Sequence, residues 1–476
     1  MSEDDPMTAL ALLQSQRDAF FREGIASVAV RMERLDRALN LLISNQARIC
    51  AAVAADFGQR PAELTRLMDI FPAVHALKFA RRNLRRWMRP QRRRLSLPIG
   101  VPGARGRVIY QPLGVVGVIS PWNFPVMLAF APLAGILAAG NRCMIKPSEV
   151  TPATSELMRQ LIERHFDASE VSVVTGDAEV AESFSRLPFD HLLFTGSAAV
   201  GRRVMAAAAQ NLVPVTLELG GKCPVVIGRS ADLRRAVDRI LTCKLANAGQ
   251  ICLAPDYVLI PQEFLDDFVR NSQEWSHRAY PALSSNPDYT SVVSDRHLTR
   301  IRDLLADARA KGAQIISLAD DPLPQPGAPR FVAPALIIGA TDEMRIMQEE
   351  IFATLLPLRA YRRFEEAITA INRREAPLAL YYFGHDSAEE SELLARTRSG
   401  GVTLNDVAMH FLAEELPFGG VGASGMGAYH GEYGFRRFSH PRAIFRQTGL
   451  DVSGLLGLRP PYGERLRRSL KFLIRR

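Results

Sequence analysis

From Val108 onward the chain alternates short β-branched, apolar runs with longer stretches of helical periodicity, and this alternation constrains the fold more than any other feature. Runs at Val115 to Ile119, Met144 to Ile145, Val171 to Val174, His191 to Phe194 and Val213 to Leu217 are separated by helical stretches at 127 to 139, 152 to 165 and 198 to 209. Strands joined through helices lie parallel, and a parallel sheet needs both faces covered, so the pattern predicts a doubly wound α/β sheet. A second set comes after it, with strands near 224 to 228, 257 to 260, 331 to 338, 379 to 383 and 400 to 404. Helices near 231 to 247, 262 to 272, 294 to 311 and 387 to 397 lie between them. Two α/β layers therefore share one chain, dividing near Glu218 to Gly221, and the Pro-rich stretch 322 to 330 reads as a surface loop.

Residues 8 to 90 read differently. Leu35, Leu39, Leu42 and Ile43, then Ile49, Val53 and Phe57, recur at helical spacing and stop at Gly58 and Pro61, which predicts an all-helical lead-in. At 476 residues the chain has length for roughly two to four domains. With 47% hydrophobic and 23% charged residues it has the composition of a globular protein, which excludes disordered and fibrous classes. The five cysteines form no C-x-x-C pair, so neither a disulfide framework nor a zinc knuckle is expected, and no metal is expected from the nine histidines either. The acidic start MSEDDPMTAL does not read as a secretory leader. A reducing, cytoplasmic setting is expected.

The net charge of +9 is concentrated in Arg81, Arg82, Arg85, Arg86, Arg89 and Arg92 to Arg94, and again in 465 to 476. Helically spaced arginines with almost no interleaved aromatics read as a solvated face, so no nucleic-acid partner is expected. The second cluster shares its segment with Leu466, Leu470, Leu473 and Ile474 on one helical face. That pattern suits either an interfacial anchor at the inner membrane surface or a helix docked on the enzyme itself.

Three segments carry chemistry. Asn247-Ala248-Gly249-Gln250-Ile251-Cys252 presents a thiol after a small, glycine-containing turn at the end of a predicted helix. Glu218-Leu219-Gly220-Gly221 places a carboxylate at a strand end before two glycines that admit close backbone approach, and such a carboxylate can activate a thiol or a water. In Pro121-Trp122-Asn123-Phe124-Pro125 the flanking prolines fix the backbone, so the Asn123 amide can serve a developing oxyanion.

Read jointly, these segments and four others resemble the aldehyde dehydrogenase superfamily from about residue 10 to 450: PWNFP (121 to 125), KPSE (146 to 149), FTGS (194 to 197), ELGG (218 to 221), GQIC (249 to 252), EEIF (349 to 352) and LPFGG (416 to 420). The stretch 418 to 435 looks like the class 3 branch, and DFGQRPAELTRLMDIFPAV, LRRWMRP and RPPYGERL look like its bacterial coniferyl aldehyde dehydrogenases. The resemblance implies two doubly wound parallel-sheet domains with a small bridging β element. Residues 1–106 and 120–218 would form the NAD-binding domain and 219–436 the catalytic domain. Residues 107–119 and 437–450 would form the bridging, oligomerisation element, and 451–476 a basic tail.

The resemblance also implies roles. Cys252 would attack the aldehyde, Asn123 with the Cys252 backbone N–H would hold the oxyanion, and Glu218 would activate the water that hydrolyses the thioester. Lys146 and Glu149 match the pair that binds the adenosine ribose, Gly196 and Ser197 the pyrophosphate site at a helix N-terminus, and Glu350 and Phe352 the nicotinamide site, with Trp122 beside them. A carboxylate at the ribose favours NAD over NADP, though class 3 relatives accept both. A homodimer is implied, with a strand at about Arg437 to Gln447 pairing to a partner through the hairpin around Arg107 to Val118.

Gly420-Val421-Gly422-Ala423-Ser424-Gly425 satisfies G-x-G-x-x-G but has no βαβ context, and is read as a glycine-rich loop near the cleft. Two departures stand out: Ala353-Thr354 where Gly-Pro usually follows EEIF, and Cys223 where Ser usually follows ELGGK. A relative that passes the thioester to coenzyme A or phosphate typically lacks the glutamate of ELGG, and a silent scaffold would not need Cys252, Glu218, Asn123 and Lys146 together.

Overall fold

The computed structural model describes residues 6–96, 103–319, 330–449 and 451–474, so the Pro-rich loop expected at 322 to 330 lies, apart from Arg330, outside the described residues. Helices Pro6–Glu23, Val28–Ser44, Gln46–Phe57 and Phe71–Trp87 form the lead-in. Ser27 caps the second of them by accepting a hydrogen bond from the Val30 N–H. Leu35, Leu39 and Leu42 are buried as their spacing predicts, but Ile43 turns out to solvent at 45% exposure, one position off the apolar stripe.

A six-stranded sheet runs in the order Gly425–Met426, Val215–Leu219, His191–Gly196, Val115–Ile119, Arg142–Lys146 and Val171–Val173, parallel except for the first pair. Helix Met127–Ala139 is buried almost all round, which is why its sequence lacks a polar face. It ends at Gly140 in the left-handed conformation, φ 90°.

The second sheet has seven strands, in the order Gln314–Ser317, Ala335–Ile338, Leu355–Tyr361, Tyr257–Pro261, Pro224–Ile227, Ala379–Phe383 and Gly401–Leu404. Its first strand is antiparallel and the rest parallel. Leu355–Tyr361 was not foreseen: Pro357 lies in mid-strand, opposite Ile337, where proline argues against a central strand. The chain passes from one sheet to the other at 220–223, between strands Val215–Leu219 and Pro224–Ile227.

A third, antiparallel sheet joins Gln91–Arg93, Arg105–Pro112 and Ser439–Arg446. Two expectations are corrected here. Val115–Ile119 belongs to the six-stranded sheet, because its fully buried sequence suits an interior strand and not an exposed ribbon. The strand near the chain end pairs with Arg105–Pro112 of its own chain, over eight residues from Ser439↔Pro112 to Arg446↔Arg105, so that hairpin edge is not free for a partner. Helix Glu464–Leu473 comes last, and none of its residues is buried.

Candidate active site

Parallel strands end together, so the loops leaving them meet at one edge of the sheet. Ile119 lies opposite both Lys146 and Phe194, and Thr195 opposite Glu218. The turn carrying Trp122 and Asn123, the Gly196-Ser197 pair and Glu218 to Gly221 therefore converge. With Cys252, Glu350 and Phe352 they line one cavity of about 1470 Å³. Its other wall is apolar, from Leu64, Leu67, Met68, Phe71, Leu128, Met409, Phe411, Leu412 and Phe418. Single small-ligand pockets enclose roughly 300–1,000 Å³, so this cavity has room for two molecules side by side.

Cys252 reaches the cavity through a strained turn. Helix Leu233–Leu245 stops at Ala246, and Asn247, Ala248 and Gly249 come next with φ of 50°, 54° and 71°. Three successive left-handed residues persist only where their surroundings hold them. Gln250 does so: its Nε2 donates to the carbonyls of Asn247 (2.9 Å) and Ser291 (3.1 Å), and its Oε1 accepts from the Val293 N–H (2.9 Å). Asn247 Nδ2 donates to the carbonyls of Asn123 and Gln250, and Asn123 Nδ2 to that of Gln250 at 3.1 Å, so the turns bearing the amide and the thiol are tied together.

Burial pushes the Cys252 thiol up, and the charges of Glu350 and Glu218 push the same way. Glu218 is buried with both carboxylate oxygens unpartnered. Burial raises it well above the usual carboxylate range, against a smaller opposing effect of Arg437. Glu350 receives the Gly221 N–H and rests over Gly220, in the space a Cβ would fill, and burial raises its carboxyl to about 8. Behind Glu218, Tyr429 separates the cavity from a water-sized void of about 10 Å³ that Glu414 and His430 also line.

Phe352 has a left-handed φ of 52° and stands edge-on to Trp122, ring centres 5.5 Å apart. Its loop is bolted from beneath by residues that sequence reasoning missed. Lys222 donates to Asp256 and to the carbonyls of Ile346 and Glu349, Asp256 accepts from the Ile351 N–H at 2.8 Å, and Arg300 donates to the carbonyls of Glu350 and Ile351. Only the Lys after ELGG offered a signal; Asp256 and Arg300 carry none in isolation.

Ser197 caps helix Ala198–Ala209, accepting from the Val200 N–H, so unpaired N–H groups of the first turn are presented beside Gly196. Lys146 and Glu149 are the two site residues that do not line the cavity. Lys146 is buried and donates to the Pro147 carbonyl at 2.8 Å, while Glu149 is exposed. The glycine-rich stretch 420 to 425 does border the site: Ala423 and Ser424 line the cavity, and Gly425 pairs with Glu218. Among the described residues no group of three His, Cys, Asp or Glu is placed to hold a metal ion.

The model of the aldehyde dehydrogenase family matches residues 3–444. A coniferyl aldehyde dehydrogenase of Pseudomonas sp. is 51% identical over 464 residues, covering 97% of this chain and 95% of that protein. The solved substrate-bound state of Staphylococcus aureus AldH superposes with a TM-score of 0.91 at 34% identity, covering 97% of this chain and 99% of that one. An indole-3-acetaldehyde dehydrogenase solved with NAD+ superposes with a TM-score of 0.85 at 26% identity, covering 93% and 90%. The chain belongs to the aldehyde dehydrogenase family.

Proposed function

We propose that the protein oxidises an aromatic or long apolar aldehyde to its carboxylic acid with NAD, through a thiohemiacetal and then a thioester on Cys252. The observation that carries this reading is the convergence of the Cys252 thiol, the unpartnered Glu218 carboxyl and the Asn123 amide on one cavity with an apolar wall.

The residues present fit NAD. Thr195 Oγ1 and Ser120 Oγ are buried without partners near the strand ends, beside a glycine and a serine-capped helix N-terminus that suit a pyrophosphate. Lys146 and Glu149 would hold the adenosine ribose, Gly196 and Ser197 the pyrophosphate, and Glu350, Phe352 and Trp122 the nicotinamide end. Bound NAD supplies the hydride acceptor. NADP is the second cofactor this arrangement accepts, less readily because of the Glu149 charge.

Glu218 takes the Cys252 proton, and the sulfur attacks the aldehyde carbon. Asn123 Nδ2 and the Cys252 N–H donate to the oxygen that becomes negative, which eases loss of hydride from that carbon and leaves the thioester. Glu218, after passing that proton to solvent water, takes another from the water that attacks the thioester and returns it to the departing sulfur, releasing the acid and the thiol. The relative named a coniferyl aldehyde dehydrogenase and the apolar wall, with Phe71, Phe411 and Phe418 in it, support an aromatic substrate. A homodimer is proposed through the outer edge of Ser439–Arg446, an edge strand with most of its residues exposed. Placement in the cytoplasm, with the tail touching the inner membrane surface, completes the reading.

The test is NADH formation across coniferyl aldehyde, simple aromatic, short-chain and long-chain aldehydes, with wild type and Cys252→Ala. Wild type should favour the aromatic or long-chain compounds, and Cys252→Ala should retain less than about a hundredth of the turnover. Retention of activity by Cys252→Ala overturns the covalent route.

A further inference from the structure

Among the ion pairs of the described residues, the most deeply buried lies beside the Asn123 turn. Arg60 Nη2 donates to Asp69 Oδ2 at 2.7 Å, and both side chains are wholly inaccessible to solvent. Asp69 sits in a five-residue π-helical turn, Arg66–Ile70, set between helices Ala62–Thr65 and Phe71–Trp87. Turns of this kind interrupt an α-helix at a local cost and recur at functional sites.

Every remaining polar contact of the pair, apart from the unpartnered Arg60 Nε, runs to the same short stretch of chain. Arg60 Nη1 donates to the Asn123 carbonyl at 3.2 Å, and its guanidinium lies between the rings of Phe57 and Phe124. Asp69 Oδ1 accepts from the Val126 and Met127 N–H groups, both at 3.2 Å. The pair thus spans residues 123–127 from both sides, while Leu67 and Met68 of the same turn form part of the apolar cavity wall. A buried ion pair contributes little net stability once desolvation is counted, so its presence here calls for a role beyond holding the fold together.

We propose that Arg60 and Asp69 are positioning residues for the oxyanion donor, fixing the Asn123 backbone so that Nδ2 meets the aldehyde oxygen, from the π-helical turn that also walls the aldehyde site. The proposal rests on the reading of Asn123 as that donor. A displacement of about 1 Å at such a group costs up to about a hundredfold in rate, without change in binding.

The experiment is a double-mutant cycle on the full chain at saturating NAD, measuring kcat and KM for aldehyde in wild type, Arg60→Lys, Asn123→Ala and the double variant. Lysine can still pair with Asp69 but cannot also span to the Asn123 carbonyl. Arg60→Lys should lower kcat about tenfold with KM for aldehyde unchanged, and Asn123→Ala should lower it about a hundredfold. In the Asn123→Ala background, Arg60→Lys should cost less than about twofold, since the group it positions is gone. Equal losses in both backgrounds, or no loss of kcat in Arg60→Lys, overturn the proposal. If Asn123→Ala itself keeps wild-type kcat, the oxyanion reading fails first and the positioning role with it. Asp69→Asn, which keeps an acceptor for the Val126 and Met127 N–H groups and removes the charge, is measured through the same cycle, so that one variant failing to fold leaves the other to decide.

Discussion

Gly249 lies against the backbone of Ala353, its Cα occupying space in which any other residue would drive a Cβ into the Ala353 carbonyl. The turn that carries Cys252 and the loop that carries Phe352 therefore touch through bare backbone. Gly249 also has a φ of 71°. Gly249→Ala should lose about 2 kcal/mol of stability or more, from the left-handed backbone and the overlap together. It should also lose most of its kcat, because Cys252 lies three residues on. Differential scanning fluorimetry and steady-state kinetics check this; wild-type melting temperature and turnover in the variant refute it.

Glu218→Gln should let the acyl-enzyme accumulate, visible as an added acyl mass on the intact protein after mixing with aldehyde and NAD. Only the ionised carboxylate can accept a proton, and burial holds the Glu218 carboxyl well above its ordinary range. Wild-type thioester hydrolysis should therefore slow as pH falls through that raised value. In Glu218→Gln hydrolysis should be slower by about 10²–10⁴ and nearly flat with pH. A variant that shows no adduct and keeps the wild-type pH profile rules Glu218 out as the base.

Glu414 offers a stability experiment independent of catalysis. Burial raises its carboxyl to about 7 from 4.5, while its Oε2 accepts the Gly431 N–H at 3.2 Å. The native chain thus keeps a proton that the unfolded chain releases, and wild-type stability should fall as pH rises from about 4.5 to about 7. Glu414→Gln keeps the acceptor and removes the titration. The variant should gain on wild type by up to about 3 kcal/mol on moving from pH 4.5 to pH 8. Melting temperatures of the two proteins that differ equally at both pH values count against the raised carboxyl.

Strand and helix alternation made most strands of both large sheets legible, because a strand buried on both faces needs a continuous apolar run and cannot hide it. Leu355–Tyr361 escaped because Pro357 imitates a break. Cys252, Glu218 and Asn123 were readable because each sits in a short, glycine- or proline-marked turn whose chemistry depends on backbone shape. Arg60, Asp69, Asp256 and Arg300 were not, because their role lies in contacts to chain far away in sequence. Arg300 reaches across 50 positions to the Glu350 carbonyl, and Arg60 across 63 to that of Asn123.

Glu149 is exposed, so replacing it should leave the fold intact and report on the cofactor alone. Glu149→Gln should raise the NADP-to-NAD ratio of kcat/KM by several-fold, since a carboxylate facing the ribose repels a 2′-phosphate. An unchanged ratio removes Glu149 from the cofactor site.

The helix Glu464–Leu473 and the Ile474 that follows it present Leu470, Phe472, Leu473 and Ile474 to solvent, with 79% of Phe472 exposed, and the helix buries none of its leucines on the enzyme. No single described helix is long and apolar enough to cross a membrane. The tail should give weak binding to vesicles containing anionic lipid, at roughly 1 kcal/mol per basic residue near the surface, weakened by salt and lost on deleting 459–476. Equal co-sedimentation of full-length and truncated protein at low salt removes the membrane contact.

Glu218 meets its antiparallel neighbour Gly425 about 200 residues later in the chain, and Tyr429 and helix Gly431–Arg437 arrive later still. On the ribosome, at 5–20 residues per second, roughly 10–40 s separate synthesis of Glu218 from synthesis of the strand that pairs beside it. Until then the sheet ends in the bare edge of Val215–Leu219, and the contact that seals it is among the least local in the molecule, hence slow to form. The nascent chain therefore holds Cys252 well before Gly425 reaches Glu218. Gly425–Met426, its last strand in chain order, therefore completes the six-stranded sheet only after the whole Cys252 turn has been made.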